Sequence, residues 1–229
     1  MTPAISWASF KPRSNSRCSA RISAPRFANI CMGCSCKPLP RRFFLPPPEE
    51  VAPQLLGKLL VRRTEGARGE LLARIVETEA YLGAGDAAAH AARGLTRRTA
   101  PLFGEPGHAY VYLIYGLHFC LNVSTLPAGQ AGGVLFRAAE WIKPKHEPSR
   151  SLRGPGRLCA ALGITGTQNG LDLTLPGTLF LADDGWRPGQ IAVTPRIGIR
   201  KSAELPLRFL IAGHPAVSAS PRSRAAQHC

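Results

Sequence analysis

Residues 74–81, with the sequence RIVETEAY, constrain the fold of this chain more than any other stretch. Val, Ile, Thr and Tyr dominate it, and such residues favour a β-strand. Because side chains alternate between the two faces of a strand, Glu77, Glu79 and Tyr81 are predicted to share one face. On this pattern alone Glu79 is either a half-solvated surface acid or part of a functional site.

Residues 110–122 are predicted to form a β-hairpin. Its turn is placed near Tyr115 and Gly116, because glycine tolerates the positive φ angles of tight turns. The four tyrosines of the chain all lie in this hairpin and in the preceding strand, at positions 81, 110, 112 and 115. They are therefore concentrated in one region instead of spread through the core.

The charge of the chain indicates a polyanionic partner. It carries 29 Lys and Arg against 14 Asp and Glu, a formal net charge of +15. Nucleic acid is the first such partner to consider and an acidic membrane surface the second. No stretch reaches the apolar length of a membrane span. Of the two candidates we expect nucleic acid and no membrane partner.

Three regions are predicted along the chain. Residues 1–39 are rich in Ser, Arg and Pro and are predicted to be a disordered basic tail. A transit peptide, or a start codon assigned too early, would give the same composition. Residues 40–218 form the folded domain, and residues 219–229 a second disordered tail. If the chain is bacterial, we expect it in the cytoplasm or nucleoid, while the basic tail leaves organelle targeting open.

The cysteines do not indicate a disulfide scaffold or a metal site. The chain has seven cysteines, an odd number, and no secretory signal of the usual form. Cys31, Cys34 and Cys36 are close together, but no second Cys or His pair follows at zinc-site spacing. We expect neither a metal nor another cofactor, and we expect Cys120 and Cys159 to be buried apolar residues.

Strands joined by hairpins and interspersed with short helices predict an α+β fold, a single compact domain around a mainly antiparallel sheet. A short helix is expected between residues 46 and 57, and another within residues 154–163. Besides the strand and hairpin above, strands are predicted at residues 58–63, 133–138, 178–181, 190–194 and 207–211.

Four motifs in order resemble the 3-methyladenine (alkylpurine) DNA glycosylase family. They are ETEAYL at residues 77–82, AAH at 88–90, GHAYVY at 107–112 and YG at 115–116. The resemblance covers about residues 40–218. It implies a curved antiparallel sheet with a protruding β-hairpin, and a monomeric, monofunctional enzyme of base excision repair. Its substrate would be double-stranded DNA containing 3-methyladenine, 7-methylguanine, hypoxanthine or ethenoadenine.

The resemblance implies a catalytic role for three residues. Glu79, the second acid of the strand, corresponds to the base that activates water, while Glu77 is interpreted as structural and paired with an arginine. Arg137 and the Ile197 carbonyl would help to hold that water. Without the resemblance, Arg137 is equally well a surface arginine on a strand.

The family also implies a pocket for a base rotated out of the double helix. Tyr81, His90 and Tyr112 would sandwich the base, since stacking on aromatic rings suits any purine. For Tyr112 alone, an ordinary core position is the alternative. Asn122 corresponds to the residue that crowds the 2-amino group of guanine and so protects normal bases.

Three further residues would contact DNA. Tyr115 corresponds to a wedge that fills the gap left by the extruded nucleotide. Arg157 matches a phosphate-contacting lysine, and Gly198 allows a close approach of DNA. The chain departs from the family between Arg137 and Gly154, where it is shorter than usual. The rival hypothesis is a non-catalytic DNA-binding module that senses lesions.

Overall fold

A computed structural model of the protein describes residues 36–64, 69–143 and 151–218. Within them, all pairings between the strands of the sheet are antiparallel. The nine strands are β1 (Lys37–Pro38), β2 (Leu59–Arg63), β3 (Glu70–Tyr81), β4 (Ala109–Ile114), β5 (His118–Thr125), β6 (Gly132–Lys143), β7 (Leu179–Asp183), β8 (Ile191–Thr194) and β9 (Arg208–Ile211).

Strand β3 lies at the centre of the sheet and carries both acids. On one side it pairs with β6, and on the other with β2 in its first half and with β9 at residues 77–79. The other strands continue the sheet in the order β1-β7-β2-β3-β6-β5-β4. The sheet curls into a half-barrel, which confirms the predicted α+β fold. Glu77 and Glu79 on this central strand are completely buried.

The helices are short, and two of the three lie close to the places predicted for them, while the helix at Ala100–Phe103 was not predicted. They are α1 (Pro48–Gln54), α2 (Ala100–Phe103) and α3 (Pro155–Leu162), with 3₁₀ turns at Arg41–Phe44, His90–Arg93 and Gly166–Gln168. Glu49 and Glu50 occupy the first turn of α1, where carboxylates complement the helix dipole. No helix of the described residues has the length and apolar character needed to cross a bilayer.

The main core lies between the sheet and the helices. Val51 and Leu55 from the α1 region, Leu158 and Leu162 from α3, and Phe136 from β6 have 1% exposure or less. The predicted burial of two cysteines is confirmed, since Cys120 and Cys159 are buried and free. Burial of this apolar layer stabilises the sheet that positions the two acids.

The folded part begins earlier than the predicted boundary at residue 40. Lys37–Pro38 pairs with β7, and Leu39 is only 3% exposed. A two-residue strand is too short to show an alternating pattern, so the sequence could not reveal it. β6 likewise continues to Lys143, beyond the strand predicted at residues 133–138. The predicted disorder of residues 1–35 and 219–229, and the Cys31 and Cys34 pair, lie outside the described residues.

Candidate active site

A cavity of about 380 Å³ is lined by residues of β3, of the β4–β5 hairpin and of the turn that begins at His90. Small-molecule pockets usually measure roughly 300–1,000 Å³. Its wall includes five aromatic side chains and one amide, namely Tyr81, His90, Tyr110, Tyr112, Tyr115 and Asn122. Segments that are separate in the sequence therefore meet in one chamber.

The aromatic rings of the chamber contact one another. His90 packs edge-on against Tyr112, with ring centroids 4.5 Å apart and planes at 78°. Nδ1 of His90 lies 2.9 Å from the Tyr110 hydroxyl oxygen. Burial lowers the pKa of His90, and the charges of Arg98 and Arg93 lower it further. The imidazole is therefore neutral near pH 7 and can offer one nitrogen as an acceptor.

Glu79 lies on β3 with its side chain completely buried. Its Oε1 accepts a hydrogen bond of 2.8 Å from the Ile197 amide, and its Oε2 accepts one of 3.0 Å from the Tyr81 hydroxyl. Nη1 of Arg137 lies 3.3 Å from Oε1. Burial raises the pKa of Glu79, and the Arg137 charge and the hydrogen bonds offset this only in part. Such a shift suits a general base that works near neutral pH.

Arg137 is shared between the two acids of β3. Its Nε donates a hydrogen bond of 3.0 Å to Glu77, while its Nη1 faces Glu79. The register of β6 steps from Ala138 to Phe136 while β3 advances by one residue, so Arg137 occupies a bulge. Bulges redirect side chains, which explains how this arginine reaches both carboxylates. Burial by itself lowers the pKa of Arg137, but Glu79 and Glu77 outweigh it and raise the pKa, so the guanidinium stays charged.

Glu77 is held by donors from three parts of the chain. Besides Arg137, Nε of Arg208 donates to its Oε1 at 2.7 Å. The Ser218 amide donates to Oε2 at 2.7 Å, and the Ser218 hydroxyl donates to Oε1 at 2.8 Å. These contacts agree with the prediction that Glu77 is structural and paired with an arginine.

The loop that delivers Ile197 is anchored by an ion pair that the sequence reasoning missed. Arg196 and Asp86 are completely buried, and Nη2 of Arg196 donates to Oδ1 of Asp86 at 2.8 Å. The Arg196 guanidinium also lies 4.6 Å from the centre of the Tyr81 ring. One signal was present, because Asp86 is the only acid in residues 83–98. Two further pocket residues without a predicted role are Tyr110 and Arg98.

Ile197 and Gly198 lie on the loop between β8 and β9. The Ile197 carbonyl, which the resemblance implicates, is 3.5 Å from Nη1 of Arg137. The Ile197 amide makes the shorter contact, to Glu79. Gly198 is exposed, with a φ of 79° that favours glycine. Within two residues, this loop therefore passes from a hydrogen bond with the buried Glu79 carboxylate to the protein surface.

The tip of the β4–β5 hairpin presents apolar side chains to solvent. Tyr115 is 84% exposed and Leu117 is 77% exposed. Tyr115 and Gly116 have φ values of 53° and 69°, which fit the tight turn predicted here. Because a bulky residue rarely adopts a positive φ, the turn holds the Tyr115 ring outward at a cost in backbone strain.

Of the two remaining predicted residues, Asn122 lies within the hairpin on β5 and Arg157 lies beside it. Asn122 is 6% exposed, and its Nδ2 donates a hydrogen bond of 3.1 Å to the Tyr110 carbonyl. Arg157 is exposed in the first turn of α3. A Cβ atom on the preceding Gly156 would lie 2.9 Å from Cβ of His118. The start of α3 thus packs against His118 at the turn end of the hairpin, which places Arg157 close to the hairpin tip.

Comparison with known proteins gives a consistent result. A family model described as methylpurine-DNA glycosylase (MPG) matches residues 42–215. Three relatives carry the name "Putative 3-methyladenine DNA glycosylase". The relative from Koribacter versatilis is 56% identical over 195 residues, covering 79% of this chain and 93% of the relative. The relative from Methanocella arvoryzae is 45% identical over 193 residues (79% and 95%), and that from Burkholderia orbicola is 46% identical over 197 residues (80% and 93%).

Proposed function

This chain belongs to the methylpurine-DNA glycosylase family, and on that basis we propose that it is a monofunctional DNA glycosylase that releases damaged purines from double-stranded DNA. The observation that carries the proposal is the Glu79 carboxyl, buried and hydrogen-bonded to the Tyr81 hydroxyl at the wall of an aromatic chamber. Burial raises the pKa of this carboxyl, which strengthens it as a proton acceptor.

The chamber is the proposed binding site for the damaged base. An enzyme that acts on a base in a duplex must first rotate it out of the stack. Tyr81, His90 and Tyr112 would then stack against the purine, and the neutral imidazole of His90 could accept a hydrogen bond from it. Asn122 at the pocket wall would crowd the 2-amino group of guanine. The proposed substrates are 3-methyladenine, 7-methylguanine, hypoxanthine and ethenoadenine.

Hydrolysis would proceed by attack of a water on C1′ of the sugar. An ionised carboxylate has about four acceptor positions, and Ile197, Tyr81 and Arg137 supply three partners to Glu79. The remaining position would take the water. As its oxygen bonds to C1′, one proton passes to Glu79 and the C1′–N9 electron pair leaves with the base. A cationic alkylated base leaves as a neutral molecule, whereas a neutral base such as hypoxanthine also takes up a proton from solvent. The carboxylate also stabilises the positive charge that develops on the sugar.

We propose hydrolysis without a covalent enzyme intermediate. Strand-cleaving glycosylases need an amine nucleophile, and no lysine is present among the described residues that line the chamber. The products are a free base and an abasic site. The proposed chemistry uses only side chains and water.

DNA would lie across the hairpin and the basic surface around it. The Tyr115 ring would enter the space left by the extruded nucleotide, and Arg157 would contact a phosphate. The net charge of +15 would strengthen the attraction to phosphates, and binding should weaken as salt rises. We propose that residues 40–218 carry this activity as a monomer, and that a bacterial protein with this activity acts in the cytoplasm or nucleoid.

Release of free base from a lesion-containing duplex tests the proposal. Oligonucleotide duplexes with a single hypoxanthine or 7-methylguanine would be incubated with excess protein, and free base would be quantified by chromatography. We expect release of the base, and strand breaks only after treatment with alkali. A lesion-sensing module would instead bind these duplexes and release no base, which would contradict the proposal.

A further inference from the structure

Both pocket tyrosines that face the base site carry an arginine on their ring. The guanidinium carbon of Arg196 lies 4.6 Å from the centre of the Tyr81 ring, and that of Arg98 lies 5.5 Å from the centre of the Tyr112 ring. Tyrosine faces attract cations through their quadrupole. These two faces are therefore already engaged by cations before any base enters.

The two arginines differ in how their charge is balanced. Arg196 forms a completely buried ion pair with Asp86, so the pair contributes little net charge to the chamber. Arg98 lines the cavity and is exposed to solvent. Its interactions with other pocket groups involve the Tyr110 phenol and the His90 imidazole, neither of which is an anion. The Arg98 charge therefore makes the electrostatic potential inside the chamber more positive.

The backbone around Arg98 is held in a fixed turn. The Thr96 amide donates to the Thr99 hydroxyl at 2.9 Å, and that hydroxyl donates to the Gly94 carbonyl at 3.0 Å. Thr99 is only 4% exposed. The turn leads directly into α2, which packs beneath the pocket through Leu102. Arg98 thus projects from a hydrogen-bonded turn, and its guanidinium lies over the Tyr112 ring at the pocket wall.

Damaged purines fall into two charge classes. Alkylation at N7 or N3 of a purine nucleoside leaves the base with a positive charge, whereas deamination to hypoxanthine or formation of an etheno ring leaves it neutral at pH 7. A cationic base would meet repulsion from Arg98 and would compete with it for the Tyr112 face. A neutral base must also share the Tyr112 face with Arg98, but it meets no charge repulsion and still gains from stacking.

We propose that Arg98 is a specificity-determining residue that disfavours cationic purines and biases the pocket towards neutral ones. This inference rests on the proposed function and specifies its substrate class. Because Arg98 is exposed and its charge is screened by solvent, we expect a moderate effect on selectivity, about threefold to tenfold.

The test compares excision of hypoxanthine and 7-methylguanine from duplexes of identical sequence under single-turnover conditions. The readout is the ratio of the two rate constants, after subtraction of spontaneous depurination. We expect Arg98→Gln to shift this ratio towards 7-methylguanine by about threefold to tenfold, and the shift to shrink between about 50 mM and about 200 mM salt. Arg98→Lys keeps the charge and should keep the ratio close to that of the unmodified protein.

Arg97→Gln is the matched control. Arg97 is an adjacent exposed arginine that does not line the chamber, as the described residues show, so its removal should affect both substrates alike. An unchanged ratio in Arg98→Gln, or an equal shift in Arg97→Gln, overturns the inference. A melting curve for each variant separates loss of folding from a change in selectivity.

The outcome also separates this inference from the proposed function. Release of neither base by the unmodified protein contradicts the proposed function itself. Release of both bases with a ratio that Arg98→Gln does not move contradicts only the role of Arg98. If the unmodified protein releases hypoxanthine alone, Arg98→Gln must gain release of 7-methylguanine. If it releases 7-methylguanine alone, the inference is wrong.

Discussion

The Tyr81 hydroxyl donates a hydrogen bond of 3.0 Å to Oε2 of Glu79, which lies two residues earlier on the same strand, β3. Burial raises the pKa of Tyr81, and the Glu79 charge raises it further, so the phenol keeps its proton. Tyr81 lines the chamber, and its hydroxyl is hydrogen-bonded to the buried Glu79 carboxylate. A base that stacks on Tyr81 would therefore place its sugar next to the carboxyl proposed to activate the attacking water.

Glu79→Gln should separate catalysis from binding. Glutamine is nearly isosteric, so β3 and the pocket should persist, but it cannot accept a proton from water. We expect the single-turnover rate of base release to fall by about 10²- to 10⁴-fold, while affinity for the lesion duplex stays similar. Glu140→Gln, at an acid on β6 that is 45% exposed, is the control and should keep the rate. A rate for Glu79→Gln within about threefold of the unmodified protein would rule out Glu79 as the base.

The pH dependence of base release should report the environment of Glu79. Its pKa is raised above the ordinary value of 4.5, and only the ionised form can act as the base. The rate should therefore fall as pH decreases through a midpoint above 4.5. Arg137→Gln removes a cation that lowers this pKa, so the midpoint should move to still higher pH. A midpoint at or below 4.5, or one that Arg137→Gln leaves in place, would contradict this account.

Glu77→Gln should act mainly on stability. The substitution leaves Arg137 and Arg208 buried without their shared anion, and breaking a buried ion pair from one side costs about 3–5 kcal/mol. We expect a loss near the lower end, because glutamine can still accept hydrogen bonds, and urea unfolding would measure it. Arg187→Gln is the control, since Arg187 is 63% exposed and pairs at the surface. A change of less than about 1 kcal/mol for Glu77→Gln would refute the structural role.

Tyr115→Ser should impair excision from duplexes more than from single strands. Tyr115 is 84% exposed at the hairpin tip, and an inserted ring would compensate for unstacking, which costs a few kcal/mol only in a duplex. We expect a loss of about tenfold or more on duplex substrate and a loss below about threefold on single strands. Leu95→Ser, at another exposed apolar residue, should affect neither substrate. Equal losses on both substrates would show that Tyr115 does not act as a wedge.

Local patterns predicted the parts of the site that lie on single elements. The alternation in residues 74–81 and the glycine at position 116 were enough to place β3 and the hairpin turn. Arg137 and Ile197 reach Glu79 only through the fold, since Ile197 is 118 positions away in the sequence. Their place was implied by family resemblance, because no local periodicity encodes it.

Two features escaped both kinds of reasoning. The Arg196 and Asp86 pair joins residues 110 positions apart, and a buried ion pair leaves no trace in hydrophobic periodicity. The bulge that aims Arg137 inward depends on a register shift between β3 and β6, which is set by three-dimensional pairing. Sequence therefore predicts the longer strands and the hairpin, while charge pairing between elements requires the structure.

The contact between Ser218 and Glu77 has a consequence for biosynthesis. The two residues are 141 positions apart, so Glu77 is synthesised long before Ser218, which donates two hydrogen bonds to the Glu77 carboxylate. Domains fold as units while the chain emerges from the N-terminal end. The nascent β3 must therefore wait with an incompletely bonded carboxylate at its centre. The hydrogen bonds of the Glu77 carboxylate are complete only when nearly the whole domain has left the exit tunnel.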